Sequence, residues 1–372
     1  MKKRVLILGG YGNFGARIAE LLLRAPDIQF IIAGRSAQKC ADFIKAHATA
    51  ATPPEMVVMD IGTDLDRALR EVSPQIVIHT SGPFQAQGYD VAQACITAGI
   101  HYIDLADGRA FVAGIKDLDA QAKAAGVCVI SGASSVPCLT AAVIDDCKAR
   151  FSSIHSLDYG ITTAQTTPAG PATLAAILGY LGKPFQTLLQ GRMKTVYGWQ
   201  GLTSRVYPEL GRRFLGYCDV PDLALFPERY PTLKNIRFRA GADVAFLHLS
   251  LWAFSWIARS GLVKSFAPLA GAMNKAAPLF NIFGTDRSGF HMELQGTGLD
   301  GAAKTETFYL LTDKGHGPYI PCIPSVLCAQ MIANGSHTRA GAYPCLDIIT
   351  LPAYLDALKD LAVQSLWLPQ KP

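Results

Sequence analysis

Three glycines near the start of the chain have a spacing that suits the binding of a phosphate group. Gly10, Gly12 and Gly15 form the pattern G-x-G-x-x-G, directly after an apolar run and at the start of an amphipathic stretch. Glycines permit a tight turn and a close backbone approach, and a helix that begins there presents its N–H groups to an anion. Together with Asn13 and Phe14, these glycines predict a site for the pyrophosphate of a dinucleotide.

A cation stands at the end of the second apolar run, where many dinucleotide-binding proteins carry an acid. Arg35 and Ser36 follow Gly34, about twenty residues after Gly15. An aspartate or glutamate would accept a hydrogen bond from a ribose 2′-hydroxyl, whereas Arg35 pairs with a 2′-phosphate and Ser36 adds a donor. The sequence therefore predicts NADP(H) as the cofactor rather than NAD(H).

Two further strand ends carry residues that we expect near the same cofactor. Asp60 and Ile61 end the third predicted strand, where an aspartate commonly faces the adenine. Ser81, Gly82 and Pro83 end the fourth, close to the expected path of the ribose and nicotinamide. A plain turn is the alternative explanation in both places.

Hydride transfer also needs a group that exchanges a proton near the substrate heteroatom. Asp107 and Arg109 follow the fifth predicted strand, and Ser134 follows the sixth, so all three belong to the edge where doubly wound sheets bind ligands. We predict these three as catalytic residues. The alternative is that Asp107 and Arg109 pair with each other in an exposed loop. For Asp104, helix capping or a structural hydrogen bond is as good an explanation as a catalytic role.

The elements that must position these residues alternate between short apolar runs and helical patterns, which is typical of βαβ units. The predicted strands are residues 4–8, 30–33, 56–59, 76–79, 101–104 and 127–130. The sequence therefore predicts an α/β fold, with a Rossmann doubly wound parallel sheet followed by an α+β second domain that carries a helical insertion. The expected Rossmann domain covers residues 1–135 and is completed by residues 325–372. The α+β domain for substrate binding and dimerisation covers residues 136–324, with the apolar insertion at about 205–285.

Composition excludes several classes of protein. Half of the residues are hydrophobic, and the net charge of +5 is spread without a block of like charges, so no nucleic-acid partner is expected. The nine cysteines show no metal-ligand spacing. We therefore predict reduced thiols, no bound metal and a cytoplasmic location.

Two apolar stretches, residues 244–258 and 262–283, fall short of a membrane span, which needs about 20 uninterrupted apolar residues. The first holds fifteen residues, and Lys264 and Lys275 interrupt the second. We expect no transmembrane helix and interpret the pair as helices in a core or in the interface of a homodimer. Peripheral contact with a membrane surface is the alternative.

With these residues in place, the sequence resembles the saccharopine dehydrogenase-like, NADP-binding reductases. The resemblance rests on RVLILGGYGNFG, IIAGRS, HTSGPFQAQGYDVAQACITAGIHYIDLADGRAF and VCVISGASSVPCLTAAVID, and GPYIPCIPSVLCAQMIANG is similar to the point where the family returns to its cofactor domain. It implies a Rossmann domain joined to an α+β domain that supplies the substrate wall and the dimer contact. Known relatives reduce imines, and others look like lipid enoyl reductases.

The sequence thus favours an NADP(H)-dependent oxidoreductase that transfers hydride to or from a C–N centre of a small amino compound. Two alternatives stay open, namely a reductase of a lipid-like enoyl substrate and a non-catalytic NADP-binding protein.

Overall fold

A computed structural model of the chain describes residues 2–50, 52–167 and 170–369. The chain divides into two compact units. The first is formed by residues up to 142 and by residues 318–350, and the second by residues 143–317 and by the chain from residue 351 on.

The first unit is built on a sheet of seven parallel strands in the order β15-β6-β5-β4-β1-β2-β3. The strands are β1 (Lys3–Leu8), β2 (Ile28–Gly34), β3 (Glu55–Val58), β4 (Ile76–His79), β5 (His101–Asp104), β6 (Cys128–Ser131) and β15 (Gly341–Pro344). Val5, Leu6, Ile7 and Leu8 are fully buried, because a parallel sheet is covered on both faces and its strands become continuous apolar runs. The predicted doubly wound α/β fold is confirmed, and its first six strands lie within a residue or two of the expected positions.

Helices follow the strands of this sheet. They are α1 (Asn13–Leu22), α2 (Ala37–Ala46), α3 (Ile61–Val72), α4 (Asp90–Thr97), α5 (Arg109–Gly114), α6 (Asp119–Ala125) and α12 (Ile323–Ala333), while α7 (Thr140–Cys147) leads from the first unit into the second. Ile18, Ala19 and Leu22 form the buried face of α1, at the spacing that places side chains on one side of a helix.

The second unit is built on a mixed sheet in the order β10-β11-β12-β7-β13-β14-β16, in which only β12 and β7 pair in parallel. Its strands are β7 (Phe151–Thr163), β10 (Thr203–Tyr207), β11 (Gly211–Tyr217), β12 (Asn235–Ala242), β13 (Ser288–Gly298), β14 (Ala303–Thr312) and β16 (Val363–Pro369), with a separate hairpin of β8 (Pro184–Leu189) and β9 (Arg192–Tyr197). Its helices are α8 (Pro171–Tyr180), α9 (Asp222–Arg229), α10 (Ala245–Arg259), α11 (Ala270–Ala276) and α13 (Leu351–Ala357).

The expected return of residues 325–372 to the first domain needs correction in its last part. Helix α12 and strand β15 belong to the first unit, but the chain from residue 351 belongs to the second. The reason is that β16 pairs with the outer edge of β14, from Val363 opposite Thr312 to Pro369 opposite Glu306. Residues 370–372 lie outside the described residues.

The helical insertion expected over residues 205–285 also needs correction in its first half. That half holds β10, β11, α9 and β12, and only residues from 245 on are mainly helical. A tight turn joins β10 to β11, with a φ of 60° at Glu209 and 73° at Gly211. Across the three ranges of described residues, no helix is long and apolar enough to cross a bilayer.

One buried carboxylate joins the ends of the neighbouring strands β5 and β6. Oδ1 of Asp104 accepts hydrogen bonds from the Ala106 N–H at 2.9 Å, the Ser131 hydroxyl at 3.0 Å and the Gly132 N–H at 2.8 Å. The Asp104 carbonyl also accepts from the Ala133 N–H at 2.7 Å. The loops that follow the two strands are therefore held together by the side chain and the main-chain carbonyl of one residue, Asp104.

The glycine that Asp104 binds has no room for a side chain. Gly132 has a φ of +71°, and a Cβ there would lie 2.9 Å from Cδ of Pro137 and 3.0 Å from Cγ1 of Val112. A positive φ is costly for any residue with a side chain, so both the conformation and the packing require glycine at this strand end.

Asp104 makes the stability of the fold depend on pH. Burial is the main cause that raises its pKa from 3.8 to about 6, against the hydrogen bonds from Gly132 and Ala106. The folded pKa of Asp104 lies above its unfolded pKa, so the folded state is favoured while this carboxyl group is protonated. The stability that protonated Asp104 contributes is therefore fully present below about pH 4, and it is lost as the pH rises through about 6. An Asp104→Asn variant keeps the Oδ1 acceptor but does not ionise. Between about pH 4 and about pH 7, we expect the free energy of unfolding of the wild type to fall by about 2–3 kcal/mol relative to the variant.

Urea unfolding at a series of pH values measures this difference. The exposed Asp117 on the same unit provides a matched control, since Asp117→Asn should follow the wild-type curve. Parallel curves for the wild type and Asp104→Asn would contradict the prediction.

Candidate functional site

The glycine turn after β1 is held against the end of β2. The N–H groups of Gly9 and Gly10 both donate to the carbonyl of Ala33, at 2.9 and 3.0 Å. A Cβ on Gly10 would lie 2.6 Å from Cβ of Ile32, and a Cβ on Gly15 would lie 2.2 Å from the Gly9 carbonyl oxygen. These glycines let the strand, the turn and α1 approach more closely than other residues would allow.

The N-terminus of α1 differs from those of the next two helices. Gly12 precedes α1, no side chain caps the helix, and its first turn carries no acid. In contrast, the hydroxyl of Ser36 accepts from the Lys39 N–H at the start of α2, and the carboxylate of Asp60 accepts from the Gly62 N–H at the start of α3. The positive end of the α1 dipole is therefore open to an external anion, and the residues present fit a pyrophosphate.

A second cation lies on the first turns of α1. Arg17 Nη1 donates to both the carbonyl oxygen and the side-chain oxygen of Asn13, at 2.5 and 2.6 Å. The guanidinium lies 5.4 Å from the ring centroid of Tyr319, and the carbonyl of Phe14 accepts from the Cys322 thiol. Asn13 and Phe14 are thus fixed by their own contacts, and Arg17 adds positive charge near the glycine turn.

At the end of β2, a tyrosine from the glycine turn covers the strand. A Cβ on Gly34 would lie 2.2 Å from the Tyr11 ring, so the missing side chain makes room for that ring. The Tyr11 hydroxyl accepts from the Ser36 N–H at 3.1 Å, while Arg35 is exposed beside it. Lys39 Nζ lies 5.8 Å from the Tyr11 ring centroid. Two cations and a hydroxyl therefore surround this strand end.

Asp60 and Ile61 lie where α3 begins. The Asp60 carboxylate is used to cap the helix, and its N–H donates to the Asp64 carboxylate at 2.9 Å. Ile61 is the first residue of α3 and is half-buried. Both residues therefore take part in the start of α3, and an adenine contact of these residues stays a prediction.

The end of β4 lies directly beside the glycine turn. A Cβ on Gly9, whose φ is +78°, would be 2.7 Å from Oγ of Ser81 and 2.9 Å from Oγ1 of Thr80. The Thr80 hydroxyl donates to the Leu8 carbonyl at 2.8 Å. Gly9 therefore brings the loop after β4 against the loop after β1.

Gln87 fixes the shape of the loop that contains Ser81, Gly82 and Pro83. Its Nε2 donates to the carbonyls of Ser81 and Pro83, at 2.8 and 2.9 Å. Gly82 and Pro83 themselves are exposed. The predicted ribose and nicotinamide contacts thus belong to a loop with a defined backbone.

Asp107 lies on the loop after β5 and contacts the loop after β4. Gln85 Nε2 donates to Oδ1 of Asp107 at 3.0 Å. The surrounding protein desolvates this carboxyl group and so raises its pKa, against the Gln85 hydrogen bond, although the side chain keeps access to solvent. Arg109, two residues further, is half-buried and begins α5.

Ser134 follows β6 and is 8% exposed. Its N–H donates to the Gly132 carbonyl at 2.7 Å, and the hydroxyl of Ser325 on α12 donates to the neighbouring Ala133 carbonyl at 2.8 Å. Within the described part of the chain, no hydrogen bond joins Ser134 to Asp107; the two loops are joined through Asp104 instead.

Several residues of this edge were missed by the sequence analysis. Tyr11 occupies an x position of the glycine pattern and Gln85 lies in the loop after β4, so the contacts in the structure are what identify them. His79 was read as a strand residue, but its Nδ1 lies 3.1 Å from the Tyr102 hydroxyl. Burial lowers the pKa of His79 to about 4, so this pair is uncharged at neutral pH.

No group of three or more His, Cys, Asp or Glu side chains suited to a metal ion occurs among residues 2–50, 52–167 and 170–369.

The first unit matches a family of known proteins. Residues 5–130 match the family model described as the saccharopine dehydrogenase NADP binding domain. A lipid droplet localized protein of Caenorhabditis elegans is 27% identical over 143 residues, which are 36% of this chain and 34% of that protein. A Mycobacterium tuberculosis protein, whose name proposes a trans-acting enoyl reductase, is 29% identical over 115 residues, 31% of this chain and 27% of its own length. The matched segments thus span about a third or less of these curated relatives.

Among solved structures, the fold is similar to that of the apo saccharopine dehydrogenase (L-Glu forming) from Saccharomyces cerevisiae. The TM-score is 0.66 over 98% of this chain and 100% of that chain, at 12% sequence identity. This likeness shows the fold, and the family model names the domain that carries the glycine turn. Residues 5–130 therefore form a domain of the saccharopine dehydrogenase NADP binding family, within a chain that has the fold of saccharopine dehydrogenase.

Proposed function

We propose that the chain is an NADP(H)-dependent oxidoreductase that transfers hydride to or from a C–N centre of a small amino compound. The observation that carries this proposal is the position of Asp107. It is a carboxyl group with a raised pKa and access to solvent, on a loop that Gln85 and Asp104 hold at the same sheet edge as the glycine turn.

The cofactor part of the proposal is supported by the first two strand ends. The uncapped N-terminus of α1 suits the pyrophosphate. Arg35, Ser36 and Lys39 lie together at the end of β2, and their positive charge and hydroxyl group would suit a 2′-phosphate. When bound there, the nicotinamide supplies or accepts the hydride.

Asp107 would exchange the proton that accompanies hydride transfer. A carboxyl group with a raised pKa holds a proton closer to neutral pH than an ordinary aspartate does. In the reductive direction the carbon of a C=N bond gains the hydride, and the nitrogen gains the proton that Asp107 releases. Because its side chain is open to solvent, Asp107 then takes a new proton from water. Oxidation of the amine reverses both transfers.

Arg109 and Ser134 would orient the substrate. A guanidinium binds a carboxylate through two parallel hydrogen bonds and thus fixes its direction, which suits a substrate of the amino-acid class. Ser134 offers a hydroxyl at the next strand end, on the loop that Asp104 ties to the loop of Asp107. Holding the reacting atoms in place in this way contributes to rate through orientation.

Reduction of a lipid-like enoyl substrate is the second candidate. The second unit exposes a group of apolar side chains on α10 and the helical turns after it, and one relative carries the name of an enoyl reductase. A screen of NADPH oxidation with amine and oxo-acid mixtures beside enoyl thioesters separates the two candidates. Tight binding of NADPH without turnover of any electrophile would favour the non-catalytic alternative.

The homodimer and the cytoplasmic location that the sequence favours stay predictions.

Cofactor preference depends on Arg35. We expect NADPH to bind the wild type more tightly than NADH, and Arg35→Asp to reverse the preference, because the new carboxylate repels the 2′-phosphate and accepts from a 2′-hydroxyl. The loss in NADPH binding should be about 1.5–3 kcal/mol, the range for hydrogen bonds to charged groups. Titration of cofactor fluorescence measures both affinities. Arg70→Asp is the matched control, because Arg70 is exposed at the C-terminal end of α3; it should change neither the NADPH affinity nor the NADH affinity. Equal affinity of the wild type for both cofactors would contradict the assignment of Arg35 to the 2′-phosphate.

Asp107 and Arg109 should affect turnover but not cofactor binding. Asp107→Asn removes the proton donor and Arg109→Ala the orienting cation, so each should lower turnover with the substrate found in the screen by about tenfold or more. For the wild type, the reductive rate should fall as the pH rises through the raised pKa of Asp107, and this limb should vanish in Asp107→Asn. Asp117→Asn serves as the control. Unchanged turnover in both variants would contradict the prediction and would show that Asp107 and Arg109 are loop residues without a part in the reaction.

A further inference from the structure

One segment of the second unit combines apolar exposure with a single sign of charge. The apolar segment, defined here as residues 244–284, contains α10, α11 and the helical turns Ala267–Leu269 and Ala277–Phe283. It has no aspartate or glutamate, and its charged residues are Arg259, Lys264 and Lys275. All the charged side chains of this segment are therefore cations.

The inner side of the apolar segment packs in the second unit. Phe254 of α10 stacks on Phe266 with ring centroids 5.0 Å apart, and both pack against a buried cluster that includes Trp199. His248 is fully buried, and burial lowers its pKa to about 4. The segment is thus a docked part of the fold, and its inner contacts fix which side faces out.

The outer side carries most of the large apolar side chains that the second unit exposes. Of the sixteen such side chains found among the described residues, nine lie in this segment, although it is a small part of the chain. They are Phe246, Leu249, Trp256, Ile257, Leu262, Leu269, Leu279, Ile282 and Phe283. Leu262 and Ile282 are each 82% exposed. A concentration of this kind marks an interaction surface.

Helix geometry gathers part of this set on one face. Phe246, Leu249, Trp256 and Ile257 repeat at helical spacing along the outside of α10. Phe246 also meets the rings of Phe280 and Phe283, each 5.7 Å away between centroids. The outer face of α10 is therefore continuous with the helical turn at Ala277–Phe283.

Cations border these apolar side chains. Lys264 and Lys275 are exposed, and neither forms an ion pair with another described residue. Lys183 Nζ donates to the Lys264 carbonyl at 3.0 Å and adds a third ammonium group at the same place. Apolar side chains with tryptophan and phenylalanine, bordered by lysine, are the pattern of helices that lie in a lipid interface.

The sign of this charge decides between two occupants. In a symmetric dimer the same surface meets itself, so the apolar segment of a second copy would bring more cations to the interface and no carboxylate to pair with Lys264 or Lys275. An anionic lipid layer instead supplies the opposite charge to the lysines and an acyl region to the apolar side chains.

We propose that the apolar segment docks on an anionic lipid surface, with the outer apolar side chains of α10 and residues 277–283 in the acyl boundary and Lys183, Lys264 and Lys275 at the headgroups. This proposal rests on the surface of the second unit and is independent of the proposed reaction.

Sedimentation with lipid vesicles tests it on the full chain. We expect the wild type to bind vesicles of phosphatidylcholine mixed with phosphatidylserine, and to bind vesicles of phosphatidylcholine alone, or mixed vesicles at high salt, far more weakly. A Leu279→Glu, Ile282→Glu variant should lose about tenfold or more of this binding, since carboxylates enter the acyl boundary. Leu299→Glu, at a residue 74% exposed outside the segment, is the matched control and should bind as the wild type does.

The charge contribution has its own variant, which leaves the apolar side chains in place. Lys264→Gln with Lys275→Gln should weaken binding to mixed vesicles by about tenfold or more, whereas the exposed control Lys314→Gln should not. Unchanged NADPH affinity and melting temperature show that each variant is folded. Absence of wild-type binding to mixed vesicles would overturn the proposal. So would a wild-type dimer that light scattering shows to dissociate in the Leu279→Glu, Ile282→Glu variant, because a second copy would then cover the segment.

Discussion

The buried carboxylate of Asp104 is the central link between the loops of the candidate site, and its Oδ1 makes most of the contacts. It accepts three hydrogen bonds at the ends of β5 and β6, and burying an ionisable group at this place raises its pKa to about 6. The three bonds offset part of that cost. What the fold gains is a fixed relation between the loop that carries Asp107 and the loop that carries Ser134. Gln85 extends the same connection to the loop after β4, and Gly9 extends it to the glycine turn.

Most of the first unit could be predicted because its signals are local. The strands of a parallel sheet are continuous apolar runs, and the glycine turn is required by contacts within a short stretch of sequence, as the approach of Gly10 to Ile32 illustrates. The carboxyl ends of parallel strands meet at one edge, so residues placed there by the sequence had to come near one another. The sequence could not identify the residue that links the loops. It allowed a structural role for Asp104, but the three hydrogen-bond partners of that side chain depend on side-chain directions that residue spacing does not specify.

The features that were missed depend on pairing between distant parts of the chain. Strand β15 is only Gly341–Pro344, and it becomes a strand because β6 offers an edge with which it can pair. Strand β16 likewise completes the edge of β14. Tyr11 occupies a variable position of the glycine motif, and its role follows from the absence of a side chain on Gly34. The exposed side of residues 244–284 is a further case, since hydrophobicity alone did not tell a core helix from a surface one.

The central claim is that a hydride moves between NADP(H) and a carbon bonded to nitrogen. Turnover with NADPH deuterated at the transferred position of the nicotinamide, followed by mass spectrometry of the product, tests it most directly. We predict that an amine formed from an amine and oxo-acid mixture carries one deuterium on the carbon attached to nitrogen. Deuterium found only on the former enoyl carbon of a thioester, or no transfer to any substrate despite tight NADPH binding, would contradict the claim.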